Sequence, residues 1–373
     1  MTTEKTTTPV FDGVLATTAE RRAFAEKRMH EYIQHGVPIA QSIVNKVLNE
    51  VPNDQIAKAT ALNFKADDNG ITYRAGDNHR TMHRNALGQL AVRAGIPIKY
   101  LDHLMETGNE WKQDLLAHTL NQHFHNDDHR YLLRSVGDET RAVLSDKYKR
   151  IDCRPVLDKL IASASKAGAL VVDGATSAIR SNLKFVLPTI FEPVPGEFVV
   201  WGLSWTNSDF GRGANELNIF FGRVWCWNGM VGEKAIRQIH LGRRLGDDIA
   251  YSERTLQLDT DTAVSAVADV ANHYLNPDKV EGHLAAIASA HNAKLDPKTA
   301  EGALAKRTSK ATAKSVVDKF NSADVIDLPQ GQSDWRWANA ISLVARDSDD
   351  GDRKIDLERL AGDVLTKHGL SIN

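Results

Sequence analysis

The residues best suited to chemistry lie between Phe198 and Arg244. There Trp201, Trp205, Trp225 and Trp227 and the adjacent Phe220 and Phe221 are interleaved with Arg212, Arg223, Lys234, Arg237, Arg243 and Arg244. Aromatic faces stack on unpaired bases while cations follow phosphates, so this mixture suits a surface for single-stranded nucleic acid. A basic corner, Lys147, Tyr148, Lys149 and Arg150, could extend it. The chain's net charge is only −2, yet residues 198–245 carry six cations against three acids and residues 129–154 seven against four. A polyanion would meet the middle of the chain. The competing reading of the same rings is core packing, because apolar side chains fill both alternation sets of Phe198–Trp205 and Leu217–Trp227, as in strands covered on two faces.

Other chemistry has weaker support. His118, His123, His125 and His129, with Asp127 and Asp128 among them, include types that ligate metals, but their spacing matches no closed zinc pattern and suits a solvated helix end. GRGANE lacks the third glycine of a dinucleotide fingerprint, NGMVGEKA lacks P-loop spacing, and SDDGDRKID lacks the leading carboxylates of an EF-hand. Neither GxSxG nor a Cys nucleophile with a nearby His signature is present, so no metal, cofactor or catalytic residue is expected. Cys153 and Cys226 read as buried free thiols of a reducing cytoplasm. The polar start MTTEKTTTP and the absence of a long apolar run predict a cytoplasmic protein with no membrane partner.

The elements that would position these residues follow from periodicity. Residues 1–12 are Thr-rich and expected to be disordered. Residues 13–128 read as a helical region: a helix after Thr17, a second opened by Pro38, a short strand at Ile71 and Tyr73, a pair over 80–106 and a helix from Trp111 to Phe124. The pair, with Gly95 at its turn and Pro97 opening its second member, has helix-turn-helix spacing but offers a groove only Lys99, Tyr100 and His103. Residues 129–245 read as the central sheet domain, with a hairpin at Gly137-Asp138, a helix opened by Pro155 and a long mobile loop over Asn207–Asn215 carrying Arg212. A turn at Asn228-Gly229 and a helix from Val231 to Leu241 should follow. Residues 246–373 read as helical, with a flexible crossing over Lys294–Ser315. The fold class is therefore α+β: a central, mostly antiparallel sheet of about six strands with packed helices, flanked by N-terminal helical hairpins and a C-terminal helical region.

Several ordered segments carry a family resemblance. GIPIKYL at 95–101, LSDKYKRID at 144–152, NSDFGRGA at 207–214 with VWCWNGM after it, WRWANAIS at 335–342 and ERLAG at 358–362 resemble the phage/plasmid-like family called domain of unknown function 932. The resemblance implies a phage or plasmid gene, often of DNA metabolism, and carries no catalytic residues. The leading expectation is a single-stranded nucleic-acid-binding protein, a DNA-metabolism or recombination accessory. A factor binding a host or phage protein and a metal-dependent nuclease or hydrolase are the alternatives, and a homo-oligomer is possible in each.

Overall fold

A computed structural model describes residues 18–106, 109–240, 252–322 and 328–368. The stretch at residues 1–12, Arg243 and Arg244 lie outside the described residues, as does the Lys234 side chain. The fold is α+β. The strands expected in one sheet belong to two, of six and five strands.

The first described element is one long helix, α1 (Thr18–Asn49), that runs through Pro38 where two helices were expected. Gly36 explains why this segment packs so tightly, since a Cβ there would stand 1.6 Å from the Val172 carbonyl oxygen. Next come β1 (Asn53–Lys58), β2 (Asn63–Asp67), β3 (Gly70–Ala75) and β4 (Asn78–Met82), in a region read as helical except around Ile71. The turn chemistry was present: Asp68-Asn69-Gly70 and Gly76-Asp77 join these strands, with Gly70 and Gly76 at φ 99° and 61°. The expected helical pair follows as α2 (Arg84–Arg93) and α3 (Ile98–Leu104), turning at Gly95 with φ 69°, and then α4 (Glu110–Phe124). The hairpin β5 (Arg130–Val136) and β6 (Glu139–Ser145) completes the first sheet, in the order β1-β5-β6-β4-β3-β2. Only the β4–β6 pairing is parallel. Phe64, Tyr73, Leu133 and Val143 face Leu87, Leu90, Leu116 and Leu120 of α2 and α4 in its core.

After α5 (Cys153–Lys166) the chain forms a five-stranded antiparallel meander: β7 (Leu170–Thr176), β8 (Ser181–Val194), β9 (Glu197–Asn207), β10 (Asn215–Arg223) and β11 (Asn228–Gln238). The expected helix at Val231–Leu241 is β11 instead. Its partner β10 decides this, because Phe220 pairs with Val231 and Phe221 with Met230, and ladder pairing overrides a weak helical pattern. The positive φ expected at Asn228-Gly229 falls on Trp227, at 54°.

Both faces of this sheet are covered. Phe185, Val199, Trp201, Trp205, Ile219 and Phe221 enter a core with α5 and with α6 (Glu253–Tyr274), α7 (Glu281–Asn292) and α10 (Asp334–Arg346). Val186, Phe198, Val200 and Phe220 face Ala25, Met29 and Tyr32 of α1. The last helix, α11 (Gly351–Thr366), crosses the sheet from Thr176 of β7 to Val231 of β11, where Gly351 and Gly362 would clash with backbone if they carried a Cβ. The crossing expected to be flexible over Lys294–Ser315 is ordered as α8 (Pro297–Arg307) and the start of α9 (Lys310–Phe320), capped by Asp296 and Ser309. No helix among the described residues is long and apolar enough to cross a membrane.

Gly36→Ala should destabilise the protein by more than about 2 kcal/mol, because α1 must back away from β7. Gly302→Ala, in the exposed interior of α8 with nothing within 4 Å of a new Cβ, should instead stabilise it, by up to about 1 kcal/mol. Urea unfolding midpoints of the two variants distinguish these outcomes.

Candidate anion-binding cleft

The segment 207–214 between β9 and β10 is held by hydrogen bonds along its length and is not the mobile loop its composition suggested. The Asn207 amide donates to the Ile151 carbonyl at 2.7 Å. Asp209 Oδ1 accepts the Cys153 N–H at 2.7 Å, and its carbonyl accepts from Arg134 at 2.8 Å. The Phe210 carbonyl accepts from the Asn85 and Gln89 amides. Ser208 matters most for geometry. Its hydroxyl donates to the Ile179 carbonyl at 2.6 Å and accepts the N–H groups of Phe210 and Arg212 at 3.1 and 3.0 Å. One hydroxyl thus fixes the position of Arg212 relative to the β7–β8 turn that carries Arg180.

Those two arginines face one cleft, lined by Arg180, Gly211, Arg212, Gly213 and Asp356. Arg212 is exposed. The Arg180 side chain is only 8% exposed, and one of its terminal nitrogens meets Asp356 at 2.9 Å and Asp352 at 3.9 Å. Its Nε is buried without a hydrogen-bond partner. Gly211 and Gly213 hold φ of 72° and 137°, a backbone that suits glycine, so the rim of the cleft is bare main chain. Cations and bare backbone around a recess suit an anion.

Behind the loop lies a buried polar cluster. Arg134, on β5, is 1% exposed and pairs with Asp54 at 2.7 Å and Asp152 at 2.8 Å. Burial first and the neighbouring Asp152 carboxylate second push the Asp209 carboxyl up to about 6, against the pull of Arg134. Burial pushes the His240 imidazole down to about 4, although the Lys149 carbonyl pulls the other way. Tyr148 stacks on His240 at 5.1 Å, and burial holds its phenol well above the usual range. A second cluster sits under α11, where Lys184 meets Asp173 and Glu358, each at 2.6 Å. Burial raises the Asp173 carboxyl, but Lys184 and Lys354 together bring it down to about 2.

The expected stacking platform does not form. Trp201, Trp205, Phe220 and Phe221 are fully buried, with the indoles of Trp201 and Trp205 donating to the Tyr274 carbonyl and to Asn215. No ring face is left for a base, because helices cover both faces of the sheet. Trp225 and Trp227 are half-buried against α1, on Phe24 and on Tyr32 and His35. Arg223 is buried in a two-pronged pair with Glu197 at 2.7 and 2.8 Å, which removes it from any phosphate path. Arg237 pairs with Glu216, Lys149 with Asp259 and Arg150 with Asp54. Lys147 is exposed, whereas Tyr148 faces inward. Of the expected surface, the cleft keeps Arg212 alone, and the structure adds Arg180. No motif marked Arg180, and Asp152 and Asp209 had stood inside quoted segments without an assigned role. Among the described residues no three His, Cys, Asp or Glu side chains converge as a metal site would require.

The two perturbed groups act on stability with opposite signs. The folded-state pKa of His240 is depressed below its ordinary 6.5, so the unprotonated ring stabilises the fold above that pH and the contribution is lost as pH falls toward 4. Asp209 is raised above its ordinary 3.8, so its contribution is present below that value and is lost as pH rises through about 6. In Asp209→Asn, which keeps an acceptor for the Cys153 N–H, stability relative to wild type should climb between about pH 4 and 6. In His240→Asn the deficit relative to wild type should shrink as pH falls over the same range. Denaturant midpoints at several pH values measure both.

No family model, no curated protein and no solved structure matches the chain.

Proposed function

We propose that the protein binds nucleic acid, single-stranded by preference, as a cytoplasmic accessory of phage or plasmid DNA metabolism. The observation that carries the reading is the Arg180–Arg212 cleft, whose two backbone segments are tied to one another through Ser208. Two arginines carried on backbone held at a set spacing bind phosphate oxygens at a lower ordering cost than two on separate mobile loops. The NSDFGRGA segment, one of the segments behind the likeness to domain of unknown function 932, supplies Gly211, Arg212 and Gly213 of the cleft, and this agrees with a DNA-metabolism role. The aromatic rings take no part in this version of the reading. Affinity would come from phosphate contacts, and the buried tryptophans would report binding poorly.

One observation favours the alternative of a protein partner. Val92, Ile98, Tyr100, Trp111 and Leu115 are exposed on the consecutive helices α2, α3 and α4, with Val92 at 68% and Trp111 at 61%. Exposed apolar side chains concentrated in one subregion mark contact surfaces more often than single ones do.

Fluorescence anisotropy with a labelled oligo-dT tests the nucleic-acid reading. With about two phosphates engaged, the logarithm of affinity should fall with the logarithm of salt with a slope near −1.4, from about −0.7 per contact on single strands. Arg212→Ala, at an exposed position, should weaken binding about three- to tenfold and flatten the slope by roughly half. Failure to bind at low salt would remove this reading, and Trp111→Ala in a partner-capture assay would then address the protein reading.

A further inference from the structure

We infer that the Arg180–Arg212 cleft takes a phosphomonoester, a terminal phosphate dianion, in preference to the internal phosphodiesters of a strand. The inference rests on the nucleic-acid reading for the source of that phosphate, though not for its chemistry.

Arg180 is already occupied. Asp356 holds it at 2.9 Å and Asp352 stands at 3.9 Å. An internal diester brings one negative charge, no more than the Asp356 carboxylate it would displace. Asp356 also belongs to the same folded chain, so its effective concentration beside Arg180 exceeds that of a dissolved ligand. A diester can still meet the exposed Arg212, but it gains nothing by the exchange at Arg180. A monoester carries about −1.5 to −2 charges at pH 7 and three strong acceptor oxygens, so it can engage Arg180 and Arg212 together and outcompete the carboxylate.

The parts differ in freedom to move as this exchange requires. Asp356 is 63% exposed and can turn into water at little cost. Arg180 is anchored: its N–H donates to the Ser177 hydroxyl, its carbonyl accepts from the Ser177 N–H and the Thr176 hydroxyl, and its side chain is 92% buried by the complement of its 8% exposure. Its Nε, buried and unpartnered, is a donor that Asp356 leaves unused. The extra oxygen of a monoester gives that donor an acceptor once the carboxylate has moved.

The Gly211–Gly213 main chain stands on one side of the cleft and α11 at Asp356 on the other. The N–H groups of Gly211 and Gly213 enter no hydrogen bond among the described residues, whereas the Arg212 N–H between them is taken by Ser208.

The test compares a 3′-labelled oligo-dT with a 5′-phosphate against the same strand with a 5′-hydroxyl. Wild-type protein should prefer the phosphorylated end by about tenfold. Asp356→Asn, at an exposed position, should tighten binding of the 5′-hydroxyl strand and narrow the preference. Arg180→Lys should abolish the preference while leaving binding that still depends on Arg212. Equal affinity of wild type for the two strands overturns the inference and leaves the nucleic-acid reading standing. If neither strand binds, that reading fails, and thermal shift with phenyl phosphate and dimethyl phosphate decides the inference alone. Stabilisation by the monoester only, lost in Arg180→Lys, upholds it; no shift, or an equal shift with the diester, overturns it.

Discussion

A guanidinium almost wholly removed from water constrains the rest of this molecule. Arg134 sits on β5 of the first sheet, 1% exposed, and such a charge is tolerated only if its donors are met. Its partners come from three separate places: Asp54 on β1, Asp152 just ahead of α5, and the Asp209 carbonyl in the loop after β9. Pulling the two sheets apart would take the Asp209 carbonyl from that charge and leave it short of a partner, with Asp54 of its own sheet still in place. Arg150 binds the other oxygen of Asp54 at 2.6 Å and strengthens the same joint. The rigidity of the 207–214 loop follows, since its backbone is one of the ligands of a buried cation.

The second sheet solves a different problem. Its central strands are apolar on both alternation sets and are buried on both faces, yet β8 and β10 also carry Asn182, Lys184, Glu216 and Asn218 inward. Register lines these up across the sheet, with Asn182 opposite Thr206 and Thr206 opposite Glu216, and Lys184 opposite Ser204 and Ser204 opposite Asn218. The helix α11 supplies the matching charges, Glu358 to Lys184 and Arg359 to Glu216. A helix placed over polar rows is held in register by them, because a one-turn slip would take Glu358 from Lys184 and leave that buried cation with Asp173 alone. That register is also what brings Asp356 over Arg180 at the rim. The cleft is therefore a by-product of how α11 docks, which sets where the Asp356 backbone stands while its exposed side chain stays free to turn.

Much of the architecture could be read from the chain. Pro97 and Pro155 stand at the starts of α3 and α5, Gly137 marks the β5–β6 hairpin, and the α+β class follows from the change of period. These signals are local, and local sterics and hydrogen bonding set them. The continuous apolar pattern of β9 and β10 had also announced strands covered on both faces, and the burial of Trp201 and Trp205 is its direct consequence. Reading those rings as a stacking platform set their side-chain type above that pattern.

What the tertiary structure alone decided involves partners distant along the chain. The division into two sheets turns on β4 pairing with β6 and β1 with β5. The strand at Val231 turns on the ladder offered by β10. Arg223 looked like a phosphate ligand until Glu197 took it, 26 positions away, and Arg180 showed no signal because its neighbour Asp356 is 176 positions removed. The sequence by itself determined which segments are helix or strand wherever caps, turns and period agree, and which strands must be buried. Only the tertiary structure determined which charges remain available to a ligand, because availability depends on whether an opposite charge arrives from elsewhere in the fold, and no local pattern encodes that arrival.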